Sequence, residues 1–206
     1  QLAMQTGPDE LKIFDLHSGE QLWQHRFAGR IGNLQWVGYD PEMRLEGSAL
    51  MLITREPFSP FPTERRYFQI WDLARRGESA RFGIRPGMYL AETAPPGMAV
   101  LREDLNPWRE EVQLDALTMV RLEDGRIMSR VAVIHRGSDV LLMTENGYYA
   151  GRGNYLDLAY LVTGERVQTL QDFPDFHRPN IVWQALEGKP VDKLPRLPGL
   201  SWEVWE

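Results

Sequence analysis

Hydrophobic positions fall in short runs rich in Ile, Val, Leu, Phe, Tyr and Trp, each bounded by Gly, Pro, Asp or Asn. A period of 3.6 residues is rare, so the runs predict strands rather than helices. One unit recurs. Leu11-Lys12-Ile13-Phe14-Asp15-Leu16 leads into His17-Ser18-Gly19-Glu20, and Phe68-Gln69-Ile70-Trp71-Asp72-Leu73 leads into Ala74-Arg75-Arg76-Gly77-Glu78. Val112-Gln113-Leu114-Asp115-Ala116-Leu117 leads to Glu123-Asp124-Gly125. Residues 155–161 lead into Val162-Thr163-Gly164-Glu165, with Tyr160 where the others carry Asp. A second apolar strand precedes each unit, at 2–6, 49–54, 98–101 and 140–144. The Gly that follows each unit is expected to supply the positive φ of a tight hairpin turn.

Taken as equivalent, Asp15, Asp72, Asp115 and Tyr160 lie 57, 43 and 45 residues apart. A four-stranded propeller blade occupies roughly 40–45 residues, and the longer first interval holds the Pro-rich connection 55–66. The spacing predicts an all-β chain, with about 3.5–4 four-stranded blades of a β-propeller over residues 1–178. One blade buries little alone, so blades stack to share a core. A ring of about seven blades is the expected whole, of which this would be the C-terminal part. An open half-ring leaves unpaired strand edges that invite another chain. Residues 179–188 predict the one helix, with Pro179 in its first turn and Gly188 at its end. Residues 189–206 predict a linker carrying Pro190, Pro195 and Pro198, then a docked aromatic tail.

Composition narrows the function classes. The chain has 206 residues, an apolar fraction of 43% and a net charge of −6 without an acidic or basic block. A concentrated positive surface is what nucleic acid and anionic membranes require, so neither is expected as partner. Arg65-Arg66 and Arg75-Arg76 are short and lie near carboxylates, as on a solvated rim. The absence of cysteine removes disulfides, thiolate metal sites and cysteine nucleophiles; it fits a reducing compartment, and a cytoplasmic location is expected. No run reaches the roughly 18 apolar residues of a membrane span. The start, Gln1-Leu2-Ala3-Met4, has no signal pattern.

At Phe14-Asp15, Trp71-Asp72 and the Ser18-Gly19-Glu20 and Thr163-Gly164-Glu165 turns, the sequence resembles the WD-repeat propeller family, without the Gly-His pair that usually precedes each blade. A second resemblance spans residues 143–191. Thr144-Glu145-Asn146-Gly147-Tyr148-Tyr149, Phe173, Phe176-His177-Arg178-Pro179-Asn180, Ile181-Val182 and Ala185-Leu186 look like the tail that closes bacterial WD-repeat propellers linked to caspase-like peptidase domains. Asn180 stands where that pattern usually has Asp. The resemblance implies the sensor or scaffold part of a larger bacterial protein carrying a caspase-like protease. The protease activity itself would lie elsewhere, since this chain has no cysteine nucleophile.

No catalytic, cofactor or metal site is expected, and the chain is not expected to be an enzyme. His17, His25, His135 and His177 lack metal-ligand spacing. Ser18-Gly19 reads as a turn, with no G-x-S-x-G elbow in the chain. Gly151-Arg152-Gly153-Asn154 lacks the Lys-Ser/Thr and helix of a phosphate loop and reads as a strand connection. Glu103-Asp104, Glu110-Glu111 and Glu123-Asp124 read as solvated loop residues.

Aromatic side chains are the more informative candidates. Phe58 and Phe61 stand in the proline-braced loop Pro57-Phe58-Ser59-Pro60-Phe61-Pro62. Trp108 and Arg109 stand in the corresponding loop of the next unit, on the same expected face. Aromatic residues and Arg anchor protein interfaces, and proline lowers the entropy lost on binding. Trp202 and Trp205, close together in the tail, complete the expected protein-binding set. The expected partner is a protein: a caspase-like protease, or the missing half of the propeller. Two other classes compete with this non-catalytic recognition scaffold. One is a propeller enzyme or ligand-binding propeller using the central channel; the other is a structural subunit completing a split ring.

Overall fold

A computed structural model describes residues 2–27, 30–37, 49–55, 66–72, 75–85, 87–91, 94–106, 111–163, 166–191 and 193–198. Among the described residues the fold is all-β apart from one short helix and a few 3-10 turns. It divides into two compact units, Gln1–Leu90 with Leu122–Gly125, and Ala91–Arg121 with Arg126–Glu206.

The first unit opens with β1 (Leu2–Gln5), β2 (Glu10–Phe14) and β3 (Gln21–Arg26), an antiparallel three-stranded sheet in chain order. Leu11 and Ile13 alternate with Lys12 on β2, and both are buried, the pattern of a sheet with one wet face. β4 (Arg30–Val37), β5 (Ala49–Arg55), β6 (Arg66–Asp72) and β7 (Gly77–Ile84) then form a four-stranded antiparallel meander. Phe68, Gln69, Ile70, Trp71 and Asp72 are all buried, so β6 is covered on both faces, polar positions included. β8 (Met88–Leu90) lies at the sequence boundary of the two units.

In the second unit run β9 (Met98–Asp104), β10 (Gln113–Arg121), β11 (Ile127–Arg136), β12 (Asp139–Thr144) and β13 (Tyr149–Arg152). They form an antiparallel sheet of order β13-β12-β11-β10-β9. β14 (Tyr160–Thr163) and β15 (Arg166–Thr169) make a separate two-stranded sheet. The helix α1 (Pro179–Leu186) packs on β11, β12 and β13, burying Val182 and Ala185. Pro179 stands in its first turn and Gly188, at φ 75°, just beyond its end, as expected.

Three expected strand pairs form: β1 with β2, β5 with β6, and β9 with β10. The fourth does not. β12 pairs with β11 and β13, while the segment after residue 154 turns through a 3-10 turn, Tyr155–Asp157, into β14, which pairs with β15. The cause is the tight turn 144–148, closed by the Tyr148 N–H on Thr144 Oγ1 at 3.1 Å and the Thr144 N–H on the Tyr148 carbonyl at 2.9 Å. The strand expected before the fourth unit, β12, therefore joins the sheet of the third unit, while the fourth unit itself runs into the separate β14–β15 sheet. Strands β10 and β11, nine and ten residues long, carry a ladder that short turns extend directly into β12.

Within the stretch expected as a Pro-rich linker, Val191 and Leu197 are 1% exposed. Asn146 Nδ2 donates to the Val191 carbonyl, the Leu197 N–H donates to the Asn146 carbonyl at 2.8 Å, and Ser129 Oγ donates to the Ala185 carbonyl. The segment after the helix is thus tied down by Asn146, which meets the Val191 carbonyl and the Leu197 N–H, and by the buried Val191 and Leu197 side chains.

Candidate functional site

Phe58 and Phe61, Trp108 and Arg109, and Trp202 and Trp205 all lie outside the described residues. Two other features stand out, one in each unit.

In the second unit the β14–β15 hairpin presents an apolar face. Strand alternation puts Tyr160 and Val162 on one side and Leu161 on the other. Leu161 is 8% exposed and joins a core with Leu141, Met143, Tyr149 and Leu170. On the outer side Tyr160 is 59% exposed, Val162 65% and Val167 67%, and Val162 faces Val167 directly across the strands. The inner anchor fixes the outer face: Leu161 cannot leave its core without turning Tyr160 and Val162 inward. Tyr160, Val162 and Val167 thus form an exposed apolar cluster on the outer side of the hairpin.

Behind this hairpin the chain is braced. Tyr155 lies against Gly151, where an added Cβ would come within 2.1 Å of its ring. The carboxylate of Asp139 accepts the Asn154 N–H at 3.0 Å, so an acidic side chain fills the turn of Gly151-Arg152-Gly153-Asn154 and a phosphate has no place there. The ring of His177 packs against Tyr149 and Tyr155, with centroids at 5.4 and 6.1 Å. Tyr149 donates its hydroxyl to the Leu170 carbonyl at 2.8 Å, and burial holds its phenol above the ordinary value of 10.0. These are packing roles.

In the first unit, Trp23 and His25 on β3, with Phe27 just beyond it, form a row at i, i+2 and i+4, one face of an extended chain. They meet Trp71 of β6. The His25 ring lies 4.3 Å from that of Trp71, 4.7 Å from Phe27 and 5.5 Å from Trp23, stacked on the last with an interplanar angle of 13°. Trp71 is 8% exposed, and its Nε1–H is buried without an acceptor among the described residues. Such an orphan donor costs about 1–3 kcal/mol. Burial holds the His25 imidazole below its ordinary value of 6.5, against a smaller opposing pull from Glu78. Glu78 in turn accepts from Gln69 Nε2 at 2.7 Å, and Gln69 lies beside Thr54.

Among the described residues no three His, Asp or Glu side chains gather as a metal site, and no helix is long and apolar enough to cross a membrane. Asp15 caps its turn through Oδ1, accepting the His17 and Ser18 N–H groups at 2.9 Å each, which leaves Ser18-Gly19 a turn. The sequence reading passed over both the hairpin face and the His25 cluster. For the cluster a signal existed: three aromatic rings at alternate positions, Trp23, His25 and Phe27. No protein-family model matches the chain, and no curated protein matches it.

Proposed function

We propose that the chain is a non-catalytic recognition module of the β-propeller type that binds another protein through the outer face of the β14–β15 hairpin. The observation that carries this is the outward Tyr160, Val162 and Val167, each more than half exposed and held there by buried Leu161. Two features of the fold support the propeller reading. The β4–β7 meander has the strand count and order of a blade. The β1–β3 sheet meets it through Trp23 and Trp71, as stacked blades do. The sequence likeness to bacterial propellers linked to caspase-like peptidases supplies the partner class: a protease of that type, or the remainder of the ring.

Val162→Thr with Val167→Thr keeps β-branched residues in the strands and removes the apolar surface. A photo-crosslinking residue at position 160, in the native host, is expected to trap a caspase-like protease or a propeller polypeptide, identified by mass spectrometry. The double substitution is expected to abolish the crosslink without changing the thermal midpoint. A crosslink that never forms, or that survives both substitutions, overturns the assignment.

A further inference from the structure

The His25 cluster joins two sheets of the first unit, and its composition is unusual for a permanent joint. A purely apolar contact would be indifferent to mild acid; here the central ring is the one side chain whose charge changes near neutral pH. We propose that His25 is a proton-operated latch: neutral, it fills the space between Trp23, Phe27 and Trp71 and holds β1–β3 against β4–β7, and protonated it leaves that space and releases the three-stranded sheet.

Three observations bear on the direction. First, no carboxylate forms an ion pair with His25 among the described residues, and its ring contacts are the aromatic ones. His25 is half-buried, so an imidazolium there exchanges part of its water for ring faces, and that desolvation disfavours it. Second, the surrounding charges give it little relief. On β7, Glu78 attracts it, but that side chain is exposed and already engaged by Gln69. On β6, Asp72 is tied to Arg75 and to the Arg75 N–H. On β2, Glu10 and Lys12 flank Leu11, which pairs with His25, so alternation sends both to the opposite face. Glu10 is moreover engaged by Thr6, Gln24 and Arg26. On β3 itself Arg26 points away with Glu10 and Asp9. Third, opening is not all loss. The Trp71 N–H, orphaned while the joint is closed, gains water when it opens.

The sign follows. A histidine whose folded value lies below 6.5 leaves the joint fully stable above that pH and weakens it as pH falls from there. The test is amide exchange of the full chain, corrected for intrinsic rates, with Trp71 Nε1–H followed by NMR, from about pH 7.5 to about pH 5. Protection in β1–β3 and at the Trp71 indole is expected to fall, while β9–β13 keep theirs as the internal reference. His25→Phe, which fills the same space without a proton site, is expected to stay protected throughout. A β1–β3 sheet that remains protected to pH 5 overturns the latch; so does a loss of equal size in His25→Phe. Cation–π attraction to Trp23 and Trp71 would produce the first of these outcomes. Should His25→Phe not fold, the His25 ring protons are titrated in the unaltered chain. Coincidence of that titration with loss of the Trp71 indole signal supports the latch, and separate transitions overturn it.

Discussion

Gly151 is fixed by its neighbour rather than by its own torsion angles. Tyr155 turns back across it, leaving no room for a Cβ. Gly151→Ala must therefore displace a ring that also contacts Tyr149 and His177. We expect a loss of about 1–3 kcal/mol, the usual cost of overpacking, read as a lower urea midpoint at unchanged slope. The same scale shows where single residues were misleading markers. Asp15 and Asp72 stand at the same point of their hairpins, each accepting a backbone N–H of the following turn. Asp115 lies inside β10 and binds Arg102 instead, so its alignment with them is a coincidence of spacing. The left-handed turn residue likewise shifts: it is Gly19 in the first hairpin and Arg76, at φ 52°, rather than Gly77 in the second.

Between strands, the Arg102–Asp115 pair shows what holds β9 to β10 beyond the backbone ladder. Arg102 Nε and Nη2 reach the two carboxylate oxygens at 3.0 and 2.8 Å, and Asp115 is 6% exposed. Arg102→Ala strands a buried carboxylate, at a cost of about 1.5–3 kcal/mol for a charged hydrogen-bonded group. Arg102→Lys should recover only part of this in chemical denaturation, since an ammonium cannot make the paired geometry. Strand pairs were legible wherever a turn signal separated two apolar runs, as in β1–β2 and β5–β6. The fourth pair was not: the break at Glu145-Asn146-Gly147 was legible, but the short strand after it, Tyr149–Arg152, carries Gly151 and Arg152 and was hidden inside an expected connection. The hairpin face was illegible for another reason. Tyr160-Leu161-Val162 is apolar on both sides, and only the core around Leu161 decides which side faces out. The expected binding residues Phe58, Phe61, Trp108, Arg109, Trp202 and Trp205 lie outside the described residues.

For the molecule as a whole, the division into units does not follow the chain. Leu122–Gly125, the turn between β10 and β11, belongs to the first unit although both strands belong to the second. Nothing in the local sequence announces this, since Glu123-Asp124-Gly125 reads as any hairpin turn and the apolar residue before it as the last of a strand. Yet Leu122 is only 1% exposed, and Gly125 approaches Ala80 so closely that an added Cβ would lie 2.6 Å from it. The turn is therefore part of the covering of β7, and the first unit is incomplete without a segment that arrives some thirty residues after it ends. Leu122→Ala tests this. Truncating a fully buried leucine costs about 2–5 kcal/mol, and the location of the damage carries the information. Amide exchange is expected to accelerate most in β6 and β7 of the first unit. Acceleration confined to β10 and β11 would instead mean that Leu122 serves only the hairpin on which it sits.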